Sequence, residues 1–178
     1  MSMVISGDGT ITGLAAGGLP DNSITQAEIA TGVAGKGPLF FASQSVSQTG
    51  ITPATATKIT FTTEAYDTAS CYDTTTSRFT PNVAGYYLVT STVTYPDSGG
   101  TNGLAIQIRK NATTAIWGTT SRGANGQIFA CSNGSVIVLM NGTTDYLEVY
   151  GYFATGTTGS TQASVSQTNF SASLIRAA

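Results

Sequence analysis

The chain has 178 residues, a formal net charge of -2, 9% charged residues and 40% hydrophobic ones, enough for one compact domain with a modest extension. Its seven Lys and Arg are spread over the whole length, so they cannot form the dense basic stripe that neutralises several phosphates, and nucleic acid is excluded as a partner. There is no histidine, which removes Ser/His/Asp and Cys/His catalysis and the common zinc sites, and no run approaches the ~18 to 20 apolar residues of a membrane-spanning helix.

Residues 1 to 37, "MSMVISGDGTITGLAAGGLPDNSITQAEIATGVAGKG", are rich in Gly and carry no aromatic residue, so they cannot build a core alone. Composition alone also fits a disordered tail. Single aliphatic residues nevertheless recur between Gly and polar residues, and a tail serving only solubility has no use for them. Ile5, Ile11, Leu14, Leu19, Ile24 and Ile29 therefore read as the anchoring side chains of an extended arm that lies on a neighbouring copy or a larger assembly. Within it, residues 23 to 30 could form one short helix capped by Ser23 or Thr25. The N-terminus lacks the basic start and apolar stretch of a secretory signal, so a soluble chain not exported by that route is expected. "GKGP", residues 35 to 38, reads as a hinge, which divides the chain into an arm at 1 to 37 and a head at 38 to 178.

From Leu39 strand patterns follow at short intervals: 39 to 46, 55 to 62, 85 to 95, 103 to 110, 113 to 118, 127 to 140, 145 to 153 and 162 to 175. Turn sequences punctuate them at 96 to 101 (PDSGGT), 141 to 144 (NGTT) and 154 to 159 (ATGTTG). Strands without intervening helices predict an all-β, antiparallel jelly-roll sandwich. Alternation assigns faces: Tyr87, Val89 and Val93 point inward, as do Leu104, Ile106 and Ile108, while Gln107 and Arg109 point out. Leu147, Val149 and Phe153 should oppose Tyr146, Glu148, Tyr150 and Tyr152, a tyrosine-rich row that reads as an interface or an unusual surface.

Two carboxylate pairs, Glu64 with Asp67 and Asp145 with Glu148, are the remaining candidates for catalysis, but their spacing does not aim both groups at one bond, so no catalytic residue and no enzyme is expected. No metal-ligand cluster is evident. Calcium is the one ionic candidate, through Asp67, Asp73 and carbonyls of "YDTASCYDTTT", where turn formation is the competing role. Cys71 and Cys131 read as two buried thiols in preference to a disulfide. The sequons at Asn111, Asn133, Asn141 and Asn169 follow from the abundance of Thr and Ser. Trp117, with Arg122 nearby, is a candidate receptor contact if exposed, and an edge core residue if not.

The order of several short motifs is more specific than a sandwich. Phe79, Pro81 and "AGYYLV" (84 to 89), then "IQIRKN" (106 to 111), "SVIVLMNGTTDYLEVYGYF" (135 to 153) and "NFSASLI" (169 to 175) resemble the globular head of complement component q and its tumour-necrosis-factor-like relatives. The resemblance spans about residues 39 to 176, with departures at Ala112, Thr143, Thr144 and Ala172 that fall in loops and small packing positions. It implies a homotrimeric knob whose axis is lined by aromatic side chains, which would put Tyr150 and Tyr152 at the trimer interface.

The N-terminal "ISGDGTITGLAAGGLPDNSIT" and "AEIATG" resemble leading segments of tailed-bacteriophage virion proteins. At ~3.3 Å per extended residue such an arm reaches on the order of 100 Å at most. Together the resemblances imply a virion surface protein made in the host bacterial cytoplasm: a capsid decoration knob (cement or head fibre) bound to other virion proteins, or a short tail fibre recognising a host surface glycan or protein. No cofactor is expected.

Overall fold

The computed structural model describes residues 4 to 5, 11 to 12, 35 to 96, 103 to 122, 129 to 153 and 159 to 178. The chain divides into two compact units, 1 to 30 and 31 to 178. In the first, β1 (Val4–Ile5) pairs antiparallel with β2 (Ile11–Thr12), Ile5 lying opposite Ile11. Where an extended arm is expected, this stretch therefore doubles back on itself. Leu14, Leu19, Ile24 and Ile29, with the helix expected at 23 to 30, lie outside the described residues.

The second unit is all β. Its strands are β3 (Leu39–Ser43), β4 (Thr57–Lys58), β5 (Thr63–Asp67), β6 (Tyr72–Asp73), β7 (Arg78–Phe79), β8 (Gly85–Pro96), β9 (Gly103–Lys110), β10 (Thr114–Arg122), β11 (Phe129–Met140), β12 (Leu147–Phe153) and β13 (Asn169–Ala177). They form two antiparallel sheets, one in the order β11-β8-β13-β3-β5 and the other β10-β9-β12-β7-β6, with β4 also on β12. First and last strands are neighbours in the middle of one sheet, the jelly-roll arrangement that the strand pattern predicts.

The long strands stand where period-two alternation places them, because each buries one row between the sheets. Tyr87, Val89 and Val93 of β8, Leu104, Ile106 and Ile108 of β9, and Leu147, Val149 and Phe153 of β12 are all buried. The centre is aromatic. Phe40 stacks on both Tyr72 and Phe79, each at 4.6 Å, and meets Phe170 edge-on at 4.9 Å. Four strands from both sheets thus converge on one ring.

Three short strands, β5, β6 and β7, escape the sequence pattern because a two-residue strand has no period to detect and β5 is exposed over most of its length. The segment expected to be a strand over 55 to 62 makes only β4. Ile59 and Phe61 are still buried, their N–H groups donating to Val149 O and Ser77 Oγ, each at 2.9 Å.

Polar clasps close both ends. At the end where β3 begins and β13 finishes, Asp145 accepts hydrogen bonds from Asn111 Nδ2 (3.0 Å) and Asn141 N (2.9 Å) and an ion pair from Lys110 (2.7 Å). Lys110 Nζ also donates to Leu139 O across the sandwich at 2.8 Å. Asn141 Oδ1 in turn accepts from the N–H groups of Thr143, Thr144 and Asp145. Gly142 has φ +73°, and a Cβ there would run into the Ala84 backbone, so the NGTT turn requires glycine at that position. At the opposite end Gln44 Nε2 donates to Thr60 O at 2.7 Å, and Gln48 Oε1 accepts from Thr60 N at 2.9 Å.

One cysteine departs from expectation. Cys71 is buried, but Cys131 is exposed, and both are free thiols. On β11 the inward row at this point is Ala130 and Ser132, too small to announce its face in the sequence, and alternation sends Cys131 outward.

Replacing Phe40 with Ala should destabilise the head by about 3 to 5 kcal/mol, the range for deleting a fully buried phenylalanine, read as a lower denaturation midpoint in urea. A loss below about 1 kcal/mol would mean that the sandwich does not depend on this stack.

Candidate functional site

The outer face of the β11-β8-β13-β3-β5 sheet is uncharged across its middle. Register places Leu139 opposite Tyr86 and Ile137 opposite Leu88, then Leu88 opposite Ser173 and Ser173 opposite Leu39. One row further on, Phe41 lies opposite Tyr66, their rings 5.9 Å apart. Ile137 is 59% exposed, Leu139 47%, Tyr86 44% and Leu88 38%. Exposed large apolar side chains in adjacent register form a contiguous patch, not scattered surface residues.

Towards the other end the same face continues as hydroxyls and amides. Ser135 lies opposite Thr90, Asn133 opposite Thr92 and Asn169 opposite Thr92 from the other side. Thr90 and Ser171 hydroxyls meet at 2.7 Å. The outward rows of β8 and β11 contain no Lys, Arg, Asp or Glu.

The outer face of the other sheet is built on opposite principles. Glu148 of β12 is fully buried, and its Oε1 accepts from Arg78 Nε at 2.8 Å and Lys58 Nζ at 3.1 Å. Burial pushes this carboxyl up, but the hydrogen bonds and charges of Arg78 and Lys58 outweigh it and hold Glu148 below the ordinary glutamate value. The flanking tyrosines carry cations: the Arg78 guanidinium lies 4.3 Å from the Tyr146 ring centre and that of Arg109 lies 4.1 Å from Tyr150. Tyr150 also donates its hydroxyl to Glu148 Oε2 at 3.2 Å.

Tyr150 and Tyr152, expected at a trimer interface, are therefore half-buried on this ionic face, with Tyr150 covered by an arginine of its own chain. Trp117 and Arg122 fall on β10, with Trp117 in register with Ile108 and Arg122 with Gly103. Ile5 and Ile11 belong to the separate N-terminal unit.

Of the carboxylates considered for calcium or catalysis, Asp67, Asp73, Asp145 and Glu148 serve turns and ion pairs, and Glu64 is exposed on β5. Asp67 accepts from Ala69 N and Tyr72 N, and Asp73 accepts from Thr75 N and Thr76 Oγ1. Among the described residues no group of three or more His, Cys, Asp or Glu could hold a metal ion.

The apolar patch is what sequence reading missed. The alternation that points Tyr87, Val89 and Val93 inward leaves Leu88 on the outward row with Thr90 and Thr92 and gives no sign that an apolar partner lies beside it. The available signal was "VIVLM", residues 136 to 140, an unbroken apolar run in a strand at the edge of its sheet, where one face of a monomer would be polar.

The model of the C1q domain family matches residues 40 to 175. No curated protein sequence matches the chain. Among solved structures, the globular domain of zebrafish complement 1qA protein is 14% identical, with TM-score 0.60, covering 80% of this chain and all of that one. Murine APRIL at pH 5.0 is 10% identical, with TM-score 0.56 and coverage of 78% and 98%. The Eiger TNF of S. frugiperda is 12% identical, with TM-score 0.56 and coverage of 79% and 93%. At these identities the likeness is one of fold.

Because the folded-state pKa of Glu148 is depressed, its contribution to stability is complete above the ordinary glutamate value and is lost as pH falls below that value through the folded one. Glu148→Gln should therefore be less stable than the native protein at pH 7 and should lose less stability on acidification. Equal acid-unfolding profiles for the two proteins would contradict the assignment.

Proposed function

The chain belongs to the C1q domain family, and from that premise we propose that it is a non-enzymatic structural module whose heads assemble as homotrimers through the outer face of the β11-β8-β13-β3-β5 sheet. The observation that supports this most is the patch of Tyr86, Leu88, Ile137 and Leu139, in register and uncharged. Leaving that much aliphatic surface in water costs about 25 cal/mol per Å², and covering it with copies of itself removes the cost. Threefold closure is what the resemblance to the complement-q and tumour-necrosis-factor-like heads implies.

The trimer is placed on the surface of a tailed-bacteriophage particle as a capsid decoration knob, held by residues 1 to 37. This placement rests on the likeness of "ISGDGTITGLAAGGLPDNSIT" to leading segments of virion proteins, and on aliphatic residues too sparse for a core of their own. A second reading, a short tail fibre that recognises a host surface, is favoured by the ordered cation and tyrosine face around Arg109.

The native protein should scatter light as a particle of three times 18.2 kDa, and the double change Leu88→Lys, Ile137→Lys should give a folded monomer, because each lysine would bring an unpaired charge into the contact. An unchanged mass for the variant would remove this face from the interface. Added to particles lacking the protein, the full chain should bind and residues 38 to 178 should not. Binding by the shortened chain would place the anchor in the head.

A further inference from the structure

Among the described residues the ionic face holds one cation that no ion pair answers, although Glu148 lies opposite it in register. Glu148 is already engaged by Lys58 and Arg78, and Lys110 is paired with Asp145. Arg109 has no carboxylate partner among the described residues. It is nevertheless held in place. Its Nε and Nη2 both donate to Gln107 Oε1, at 2.9 and 2.7 Å, its Nη1 makes only a 3.5 Å contact with Ala112 O, and its plane rests on the Tyr150 ring.

A guanidinium has five N–H donors in a fixed fork. Gln107 takes the donors on the Nε side, which leaves the end-on pair of Nη1 and Nη2 to donate two parallel bonds. Immobilising a long side chain before binding removes an entropic cost that binding would otherwise carry. Beside it on β10 lie the exposed Ala115 and Gly118, opposite Arg109 and Gln107 respectively, both too small to cover the fork.

We propose that Arg109, oriented by Gln107 and Tyr150, is a carboxylate-binding site that takes the acidic sugar units of a cell-surface polysaccharide. A carboxylate matches the free fork in charge and shape. A sugar matches the rest of the face, which offers a hydroxyl at Tyr152 and an amide at Gln107 but too few cations for a polyphosphate. The source of the glycan, a host envelope, rests on the recognition reading above, whereas the carboxylate chemistry stands without it.

The test is binding of the full-length protein to immobilised polygalacturonate, with neutral dextran and poly-glutamate beside it. Native protein should bind polygalacturonate and neither of the others. Arg109→Gln should weaken binding at least tenfold, and Arg109→Lys should also weaken it, because a point charge lacks the fork. Gln107→Leu keeps every charge but releases the clamp, so a loss there separates an ordered site from general attraction. Light-scattering mass and melting temperature should be unchanged in all three variants. No binding to polygalacturonate, equal binding by Arg109→Gln, or equal binding to poly-glutamate would each overturn the proposal. Binding to polygalacturonate without binding to any candidate host cell would instead overturn the recognition reading and leave the site standing.

Discussion

The ring of Phe40 is where the head is joined. Its own strand, β3, lies beside the last strand, β13, which contributes Phe170, while Tyr72 and Phe79 reach it from the facing sheet. Each such aromatic pair adds about 0.5 to 1.5 kcal/mol beyond the area it buries. More important is what the cluster fixes: the first and last strands of the head, the β6 and β7 hairpin and the distance between the sheets are all set against one side chain. Once that inner layer is set, period two leaves no freedom in what faces outward.

The two outward faces then solve the problem of exposure in different ways. On one sheet a carboxylate is buried at a high desolvation cost and compensated by two cations, and the tyrosines beside it are capped by guanidinium groups of the same chain. Among the described residues the cations of that face, Arg109 excepted, are answered by carboxylates of the same chain. The other sheet has no such device. Among the described residues its exposed aliphatic side chains have no covering layer, and the charge in register with the patch is that of Arg176, opposite Tyr86 at its margin, which is why other copies of the chain are proposed to complete this face. The polar clasp of Asp145, Asn111, Asn141 and Lys110 contributes by pinning the end of the sandwich next to Leu139, which holds the apolar rows in register.

Much of this was legible in the sequence. Strict alternation from Tyr87 onward, and in 103 to 110 and 147 to 153, identified the long strands and their buried rows, and ordered motifs such as Phe79 to Tyr87 and the closing "NFSASLI" pointed to the family. Alternation is silent where a strand has two residues, as in β6 and β7, or where the inward residues are Ala and Ser, as around Cys131. The tyrosines of β12 were visible as a row, but the arginines that cover two of them come from distant strands, and no local pattern shows that Arg109 will lie on Tyr150. Likewise the outer patch is a property of register between β8 and β11, which pairs Leu88 with Ile137 from positions far apart in the chain.

Hydroxyl-radical footprinting of the native full-length protein tests the central claim, that this patch is covered by other copies, most directly. Val46 and Val165, 76% and 60% exposed and outside the patch, serve as the reference. The account requires Leu88, Ile137 and Leu139 to be shielded nearly as well as the buried Val89, while Val46 and Val165 react freely. Modification of Ile137 and Leu139 at the rate of the two reference valines would show that face open to water and contradict it.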